Sequence, residues 1–171
     1  MKTLILLRHA KSDWSEPGLT DFDRPLAPRG IKAAPLVGRH LRGQKLDPDL
    51  VLCSSAQRAR QTWELVAPEL RDNPETRFMK TLYLASPSRL LAAIKRAPEG
   101  VQRLMLIGHN PGMENLAQRL IGGGKKKALK NLQSKFPTAA VAVIRFDAQD
   151  WARVGDGAGE LTRFIRPKDL A

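Results

Sequence analysis

Leu4-Ile5-Leu6-Leu7-Arg8-His9-Ala10-Lys11-Ser12 is the stretch that decides the fold. Four apolar residues run without a Gly or Pro and end abruptly in an Arg-His pair. A short run that is apolar at every position predicts a strand buried on both faces, as in a parallel sheet covered by helices. In open α/β sheets, ligands bind at the carboxyl ends of the strands. Arg8 and His9 therefore fall where chemistry is expected, on an element rigid enough to aim a side chain.

Working outward, Leu50-Val51-Leu52-Cys53 predicts a second buried strand. It runs into Ser54-Ser55, either of which suits the N-cap of a helix opening Ala56-Gln57-Arg58-Ala59-Arg60-Gln61-Thr62. Arg77 to Leu82 reads as a third strand. Arg103 to Ile107 reads as a fourth, ending in Gly108-His109-Asn110-Pro111-Gly112 and a helix through Leu116 and Leu120. Thr138 to Phe146 is a fifth, and Glu160 to Ile165 a short last strand antiparallel to it. A helix over about 29–43 carries Ile31, Ala34, Leu36, Val37 and Leu41 on one face, with Pro35 inside it threatening its start. Ser86-Pro87-Ser88 opens another helix, Ser86 as cap and Pro87 at its first position. Residues 11–27 lack periodicity and read as a loop bordering the same pocket as Arg8 and His9. Gly122-Gly123-Gly124-Lys125-Lys126-Lys127, with Lys130 beyond, reads as a flexible solvated loop; a docking patch for an acidic protein or nucleic acid is the sharper alternative. Strands alternating with helices give an α/β fold with a mainly parallel sheet, in one domain over 1–171.

Composition bounds the function. Hydrophobic residues make up 42% and charged residues 27% of 171, an ordinary balance for a globular protein. There is no apolar run long enough for a membrane span and no signal-peptide pattern, so a cytoplasmic protein without a membrane partner is expected. Cys53 is the only cysteine, which excludes an internal disulfide and reads as a buried structural thiol in a reducing compartment. Twenty-nine Lys and Arg against 17 Asp and Glu, a net charge of +12, point to an anionic partner. That partner could be nucleic acid, a membrane surface or a phosphorylated substrate; aromatic content of 5% and basic residues spread along the chain are unlike the clustered, aromatic-interleaved charge of nucleic-acid readers.

Three strand-to-loop junctions carry unusual residues: Arg8 and His9, then Arg58, then His109. If their strands are parallel, all four converge on one edge with two helix N-termini, which describes an anion pocket. Arginine forks match phosphate oxygens. An imidazole held through one ring nitrogen can present the other as a nucleophile, splitting a phosphoryl transfer into two easier steps. No HExxH-type spacing or carboxylate cluster indicates a metal. His40 is expected on a solvent-facing helix surface, and Arg60, turned away from Arg58, in solvent.

Leu7-Arg8-His9-Ala10, Arg58-Ala59-Arg60-Gln61-Thr62 and Ile107-Gly108-His109-Asn110-Pro111 resemble the histidine phosphatase superfamily, which contains the phosphoglycerate mutase-like proteins. The similarity is closest to its small bacterial SixA-type members, through RHAKSDW, DFDRPLAPRG and KFPTAA, and runs in order from residue 3 to about 146. The resemblance implies a three-layer α/β/α sandwich that needs no cofactor. It makes His9 the phosphorylated nucleophile and Arg8, Arg58 and His109 the phosphate-binding residues. One departure is the absence of a Glu in Thr81-Leu82-Tyr83-Leu84-Ala85, where many superfamily members carry their general acid. Asp21 stands where SixA-type proteins often have an Asp, a candidate proton donor with pairing to Arg24 as the alternative. Arg24 and Arg29 are candidates for the pocket mouth, or for salt bridges to Asp21 or Asp23. The implied activity is dephosphorylation of phosphohistidine on a partner protein, such as a histidine-containing phosphotransfer domain, by a monomer. The alternatives are a small-molecule phosphomonoesterase on the same fold, favoured by a carboxylate beside the phosphate, and a non-catalytic phosphoprotein- or nucleic-acid-binding module.

Overall fold

In the computed structural model, which describes residues 1–171, the opening apolar run is strand β1 (Lys2–Arg8). Leu4 to Leu7 have no exposed surface, and their side chains alternate between two cores. Leu4 and Leu6 join Leu50, Leu52, Leu104 and Leu106 on one face. Ile5 and Leu7 join Val51, Cys53, Met105 and Ile107 on the other. The run is apolar throughout because a strand sends successive side chains to opposite faces and both faces are covered. Each of these four side chains contributes roughly 1.5–3 kcal/mol by leaving water.

The remaining elements follow as α1 (Pro28–Gly43), β2 (Leu50–Ser54), α2 (Gln57–Val66), β3 (Glu75–Met79), α3 (Pro87–Lys95), β4 (Arg103–Gly108), α4 (Gly112–Leu120), β5 (Ile121–Gly124), α5 (Lys126–Ser134), β6 (Val141–Phe146) and β7 (Gly159–Ile165). The strands form a single sheet in the order β3-β2-β4-β1-β6-β7-β5. Every pairing is parallel except the two made by β6, which runs against both β1 and β7. Helices α1 and α2 cover the Ile5 face through Ala34, Val37, Leu41, Ala59, Trp63 and Val66. Helices α3, α4 and α5 cover the Leu4 face through Leu90, Ile94, Met113, Leu116, Leu120 and Leu132. This is the three-layer α/β/α sandwich. No helix is long and apolar enough to cross a membrane.

Several expectations are corrected. The Gly-Lys stretch is not a loop but strand β5 and helix α5. Glycine is what lets β5 form: a Cβ on Gly122 would lie 2.0 Å from the Gly157 carbonyl oxygen, and Gly124, at φ +152, would clash with the Leu161 carbonyl. The lysines of α5 face outward because Ala128, Leu129 and Leu132 supply an apolar stripe one turn apart. Strand β3 spans Glu75–Met79 rather than 77–82, and Lys80–Leu82 forms a 3-10 turn. It is an edge strand with mostly exposed or half-exposed side chains, so hydrophobicity marks it poorly. Strand β6 begins at Val141, not Thr138, because Ala139 turns the chain at φ +61. Helix α1 starts at Pro28, which needs no N–H there, and continues through Pro35 without displacement. Ser86 caps α3 as expected, accepting from the Arg89 N–H at 3.2 Å.

One close approach ties the fold to the residues after His9. A Cβ on Gly30 would come within 2.3 Å of the Lys11 carbonyl oxygen, so the first turn of α1 lies directly against the chain leaving β1.

Candidate active site

Strands β2, β4 and β1 are neighbours and parallel, so their carboxyl ends lie side by side. β1 ends at Arg8 with His9 next, β4 ends at Gly108 with His109 next, and β2 ends at Ser54 with Arg58 in the first turn of α2. The parallel register thus brings together residues that the chain separates widely. The His9 and His109 rings are 5.1 Å apart, and His9, His109, Arg24 and Arg58 are all buried, between 3% and 6% exposed.

His9 is held in one tautomer. Its Nδ1 lies 2.8 Å from the Ala10 carbonyl oxygen. A carbonyl can only accept, so Nδ1 carries the proton and Nε2 keeps its lone pair. The main chain is fixed on both sides: His9 N–H donates to Gly108 O at 3.1 Å, and Ala139 N–H donates to His9 O at 3.0 Å. Ala10 N–H donates to Thr62 Oγ1 at 3.0 Å, and that hydroxyl donates to Arg58 O at 2.7 Å, locking α2 to the segment that carries His9. Burial pushes the His9 imidazole down to about 3, against the Ala10 hydrogen bond, and the charges of Arg58, Arg8 and Arg24 push it the same way. Burial, His9 and Arg58 bring His109 down to about 3 as well.

Both rings are therefore neutral at ordinary pH, and His9 has the form a nucleophile needs. An exposed histidine titrating at about 6.5 would lose roughly 30-fold in its neutral fraction by pH 5. If His9 is the reacting group of an enzyme, kcat/KM, corrected for titration of the substrate, is expected to change by less than about 2-fold between pH 7 and 5 through His9, and to fall only as pH approaches about 3. The same depressed values make the fold acid-sensitive. Below about 6.5 the unfolded chain binds protons that the folded one refuses, so stability declines as pH falls through that window. A pH–rate profile and a melting series check both.

Arg8 Nη1 donates to the Phe136 carbonyl oxygen at 3.0 Å, which also accepts from Asn110 Nδ2 at 3.0 Å. Arg58 donates from Nη1 to the Asp21 backbone oxygen at 2.7 Å and from Nη2 to Asp21 Oδ2 at 3.1 Å. Arg24 Nη2 meets Asp21 Oδ1 at 2.6 Å, and its guanidinium lies over the Trp14 ring. Tyr83 completes the clamp by donating its hydroxyl to Asp21 Oδ2. Burial alone would raise the Asp21 carboxyl, but Tyr83, Arg24 and Arg58 together hold it well below the usual carboxylate range. Asp21 is thus held as a carboxylate in the unliganded site, bound to Arg24, Arg58 and Tyr83. Pairing with Arg24 is the role the geometry supports. Arg29 is elsewhere, on a second cleft, with no carboxylate partner.

The side chains missed by sequence reasoning are Ser54, Thr62 and Tyr83. Ser54 does not cap α2, whose N-cap is Ala56; its hydroxyl lies 2.7 Å from His109 Nε2 and accepts from Ala56 N–H at 3.3 Å. Tyr83 stacks edge-on against His109, at 5.4 Å between centroids. Thr62 was visible inside the Arg58–Thr62 motif, whereas Ser54 and Tyr83 had no local signal. Arg60 is half-buried rather than solvated, bonded to Ser55 O at 3.1 Å and lying over Phe78. His40 is also half-buried, and burial and Arg163 lower its pKa. Cys53 is fully buried, its thiol pushed up to about 12 by desolvation, and inert as a nucleophile.

Buried polar atoms are nearly always paired in folded proteins. Four side-chain atoms here are buried without a protein partner, and three of them are Arg8 Nε, Arg24 Nε and His109 Nδ1. Unpaired nitrogens gathered beside a neutral, tautomer-fixed imidazole suit a tetrahedral anion. Three guanidiniums, Arg8, Arg24 and Arg58, against two carboxylates, Asp21 and Glu114 (the latter acting on Arg8), leave the site cationic, and such donors can neutralise the equatorial oxygens of a phosphoryl group in flight.

Comparison with known proteins shows the family and the fold. Residues 4–82 match the family model of the histidine phosphatase superfamily (branch 1). An uncharacterized protein of Mycobacterium tuberculosis is 41% identical over 164 residues, covering 95% of this chain and all of the relative. The phosphohistidine phosphatase SixA of Escherichia coli is 28% identical over 146 residues, covering 84% of this chain and 85% of its own. The crystal structure of a phosphohistidine phosphatase SixA from Agrobacterium tumefaciens, so assigned provisionally, superposes with a TM-score of 0.82 at 32% identity, over 97% of this chain and 98% of that one.

Proposed function

The chain belongs to the histidine phosphatase superfamily, within its SixA-type group, and is a phosphatase; we propose that it acts through a phosphohistidine on His9 and that its substrate is phosphohistidine on a partner protein. The observation that carries the mechanism is the anchored His9 ring, whose Nδ1–H is committed to Ala10 O and whose Nε2 is left free among Arg8, Arg24, Arg58 and His109.

In the first step Nε2 of His9 attacks phosphorus, forming one N–P bond as the bond to the substrate nitrogen breaks. The electron pair leaves on the substrate imidazole, which is protonated from solvent. In the second step water attacks the phosphorus on His9, the N–P bond breaks, Nε2 recovers its pair, and inorganic phosphate departs. Arg8, Arg58 and His109 hold the oxygens throughout. Asp21 orients Arg24 and Arg58 and supplies no proton, consistent with a substrate whose leaving group is an imidazole rather than an alkoxide.

Support for a protein substrate comes from the rim. Trp14 is 69% exposed beside Arg24, and Leu84, next to Tyr83, is 55% exposed. Large apolar side chains left in water at the mouth of a site mark an interaction surface. A lone buried thiol suits a reducing compartment such as the cytoplasm. Asp21 is a carboxylate beside the phosphoryl site and Glu114 another acting on Arg8, observations on the side of a small-molecule monoesterase.

The test offers the wild-type protein a phosphohistidine protein and p-nitrophenyl phosphate in parallel, with chelator present. The expected result is much faster turnover of the phosphohistidine protein. Efficient ester hydrolysis with no action on phosphohistidine would overturn the substrate assignment and favour the monoesterase.

A further inference from the structure

Beside the phosphoryl site lies a cleft of about 310 Å³ that the chemistry above does not use. Its walls come from four separate places: Lys11 after β1, Arg29 in the first turn of α1, Lys135 after α5, and Arg166 and Lys168 after β7. No Asp or Glu lines it. Arg166 is paired with Asp169 at 2.9 Å, but Lys11, Arg29, Lys135 and Lys168 have no carboxylate within salt-bridge distance. Asp169 also acts on Lys168, which leaves Lys11, Arg29 and Lys135 as three uncompensated cations facing one concavity; they repel one another, an arrangement that a bound anion relieves.

The cleft shares a wall with the site. Lys11 is two residues beyond His9. Ala139, which lines the cleft, donates its N–H to the carbonyls of both Arg8 and His9 at 3.0 Å. Lys135 precedes Phe136, whose carbonyl holds the Arg8 guanidinium. In the sheet order, Arg58 and His109 stand on the β2-β4 side of β1, whereas Lys135, Arg166 and Lys168 stand on its β6-β7 side. A ligand whose phosphoryl group sits on His9 has this cleft as its immediate flank.

We infer that the cleft docks acidic side chains flanking the phosphorylated residue of the protein substrate, an inference that rests on the protein-substrate reading above. The lining suits the acidic surface of a protein better than a nucleic acid. No aromatic residue lines it to stack a base, as single-stranded nucleic acid requires. Its free cations are mainly exposed lysines, mobile point charges suited to a carboxylate-bearing surface, rather than the buried, bridged arginine forks that surround His9. Such a patch acts mainly on encounter and KM, and less as ionic strength rises.

The experiment compares wild type with Lys135→Glu/Lys168→Glu, two exposed positions outside the phosphoryl site. Turnover of a phosphohistidine protein with an acidic surface should lose about 10-fold in kcat/KM, through KM, and lose most of its salt dependence. Turnover of p-nitrophenyl phosphate should stay within about 2-fold, which also shows that the variant folds. Unchanged turnover of the protein substrate, or an equal loss on both substrates, would overturn docking. A second arm measures binding of an unphosphorylated hexaglutamate peptide by fluorescence anisotropy, independent of any chemistry at His9. Weaker binding to the variant supports the cleft even if phosphohistidine proves not to be the substrate; equal binding to both proteins refutes it.

Discussion

His9→Ala lowers kcat/KM on every phosphorylated substrate by on the order of 10⁴-fold or more, because the bond-forming atom is gone and water must attack directly. The remaining guanidiniums and His109 still bind phosphate, so KM changes far less than kcat. The loss is chemical rather than structural. The His9 ring bonds only to the adjacent Ala10 carbonyl, while the main-chain contacts to Gly108 and Ala139 need no side chain. The variant should therefore melt cooperatively and keep its phosphate affinity within about 10-fold. Retention of more than a few per cent of wild-type activity would contradict the assignment of His9. A collapse in stability would be separated from it by the phosphate-binding measurement.

Arg58→Ala is expected to cost roughly 10²–10³-fold in kcat/KM, the range for removing one preorganised donor from a transition-state charge. Arg58 also neutralises Asp21, and its removal leaves that carboxylate beside an arriving phosphoryl group with only Arg24 and Tyr83 against it. The effect is thus partly attraction lost and partly repulsion gained, and the two separate experimentally. Asp21→Asn in the Arg58→Ala background should recover several-fold, while Asp21→Asn alone should not improve the enzyme. Arg58→Lys should recover little, because an ammonium cannot reproduce the two bonds to Asp21 and still present a planar edge to phosphate. Steady-state kinetics of the four variants on one substrate decides this, and a loss below about 5-fold for Arg58→Ala would remove Arg58 from the site.

What could be read from the sequence was what local pattern encodes. Strands β1, β2 and β4 announce themselves because burial on both faces makes residues 4–7, 50–53 and 104–107 continuously apolar, and the residues that end those runs lead into the ones the parallel sheet brings together. Strand β5 is four residues of which three are glycine, and its reason lies in the backbone of Gly157 and Leu161, out of sight of any window. The same limit applies inside the site. His109 meets Ser54 across 55 residues, Asp21 meets Tyr83 across 62, and Arg8 meets the Phe136 carbonyl across 128. Ser54 stands at the right place for a cap and is recruited by a histidine from another strand end. Asp21 was visible as a carboxylate, but its depressed pKa depends on three partners, Tyr83, Arg24 and Arg58, that only the fold brings together. Sequence pattern identifies which groups are available; tertiary contacts decide which of them hold protons.

The central claim is that phosphate passes through His9, and rapid-quench trapping tests it most directly. Wild-type protein is mixed with substrate, stopped in base within the first turnover, digested and examined by mass spectrometry. The account predicts a phosphoryl group on the peptide carrying His9, formed and lost at least as fast as steady-state turnover, stable in base, labile in acid, and absent from His9→Ala. Full turnover with no phosphoryl group on that peptide, or with one on a different residue, would contradict it.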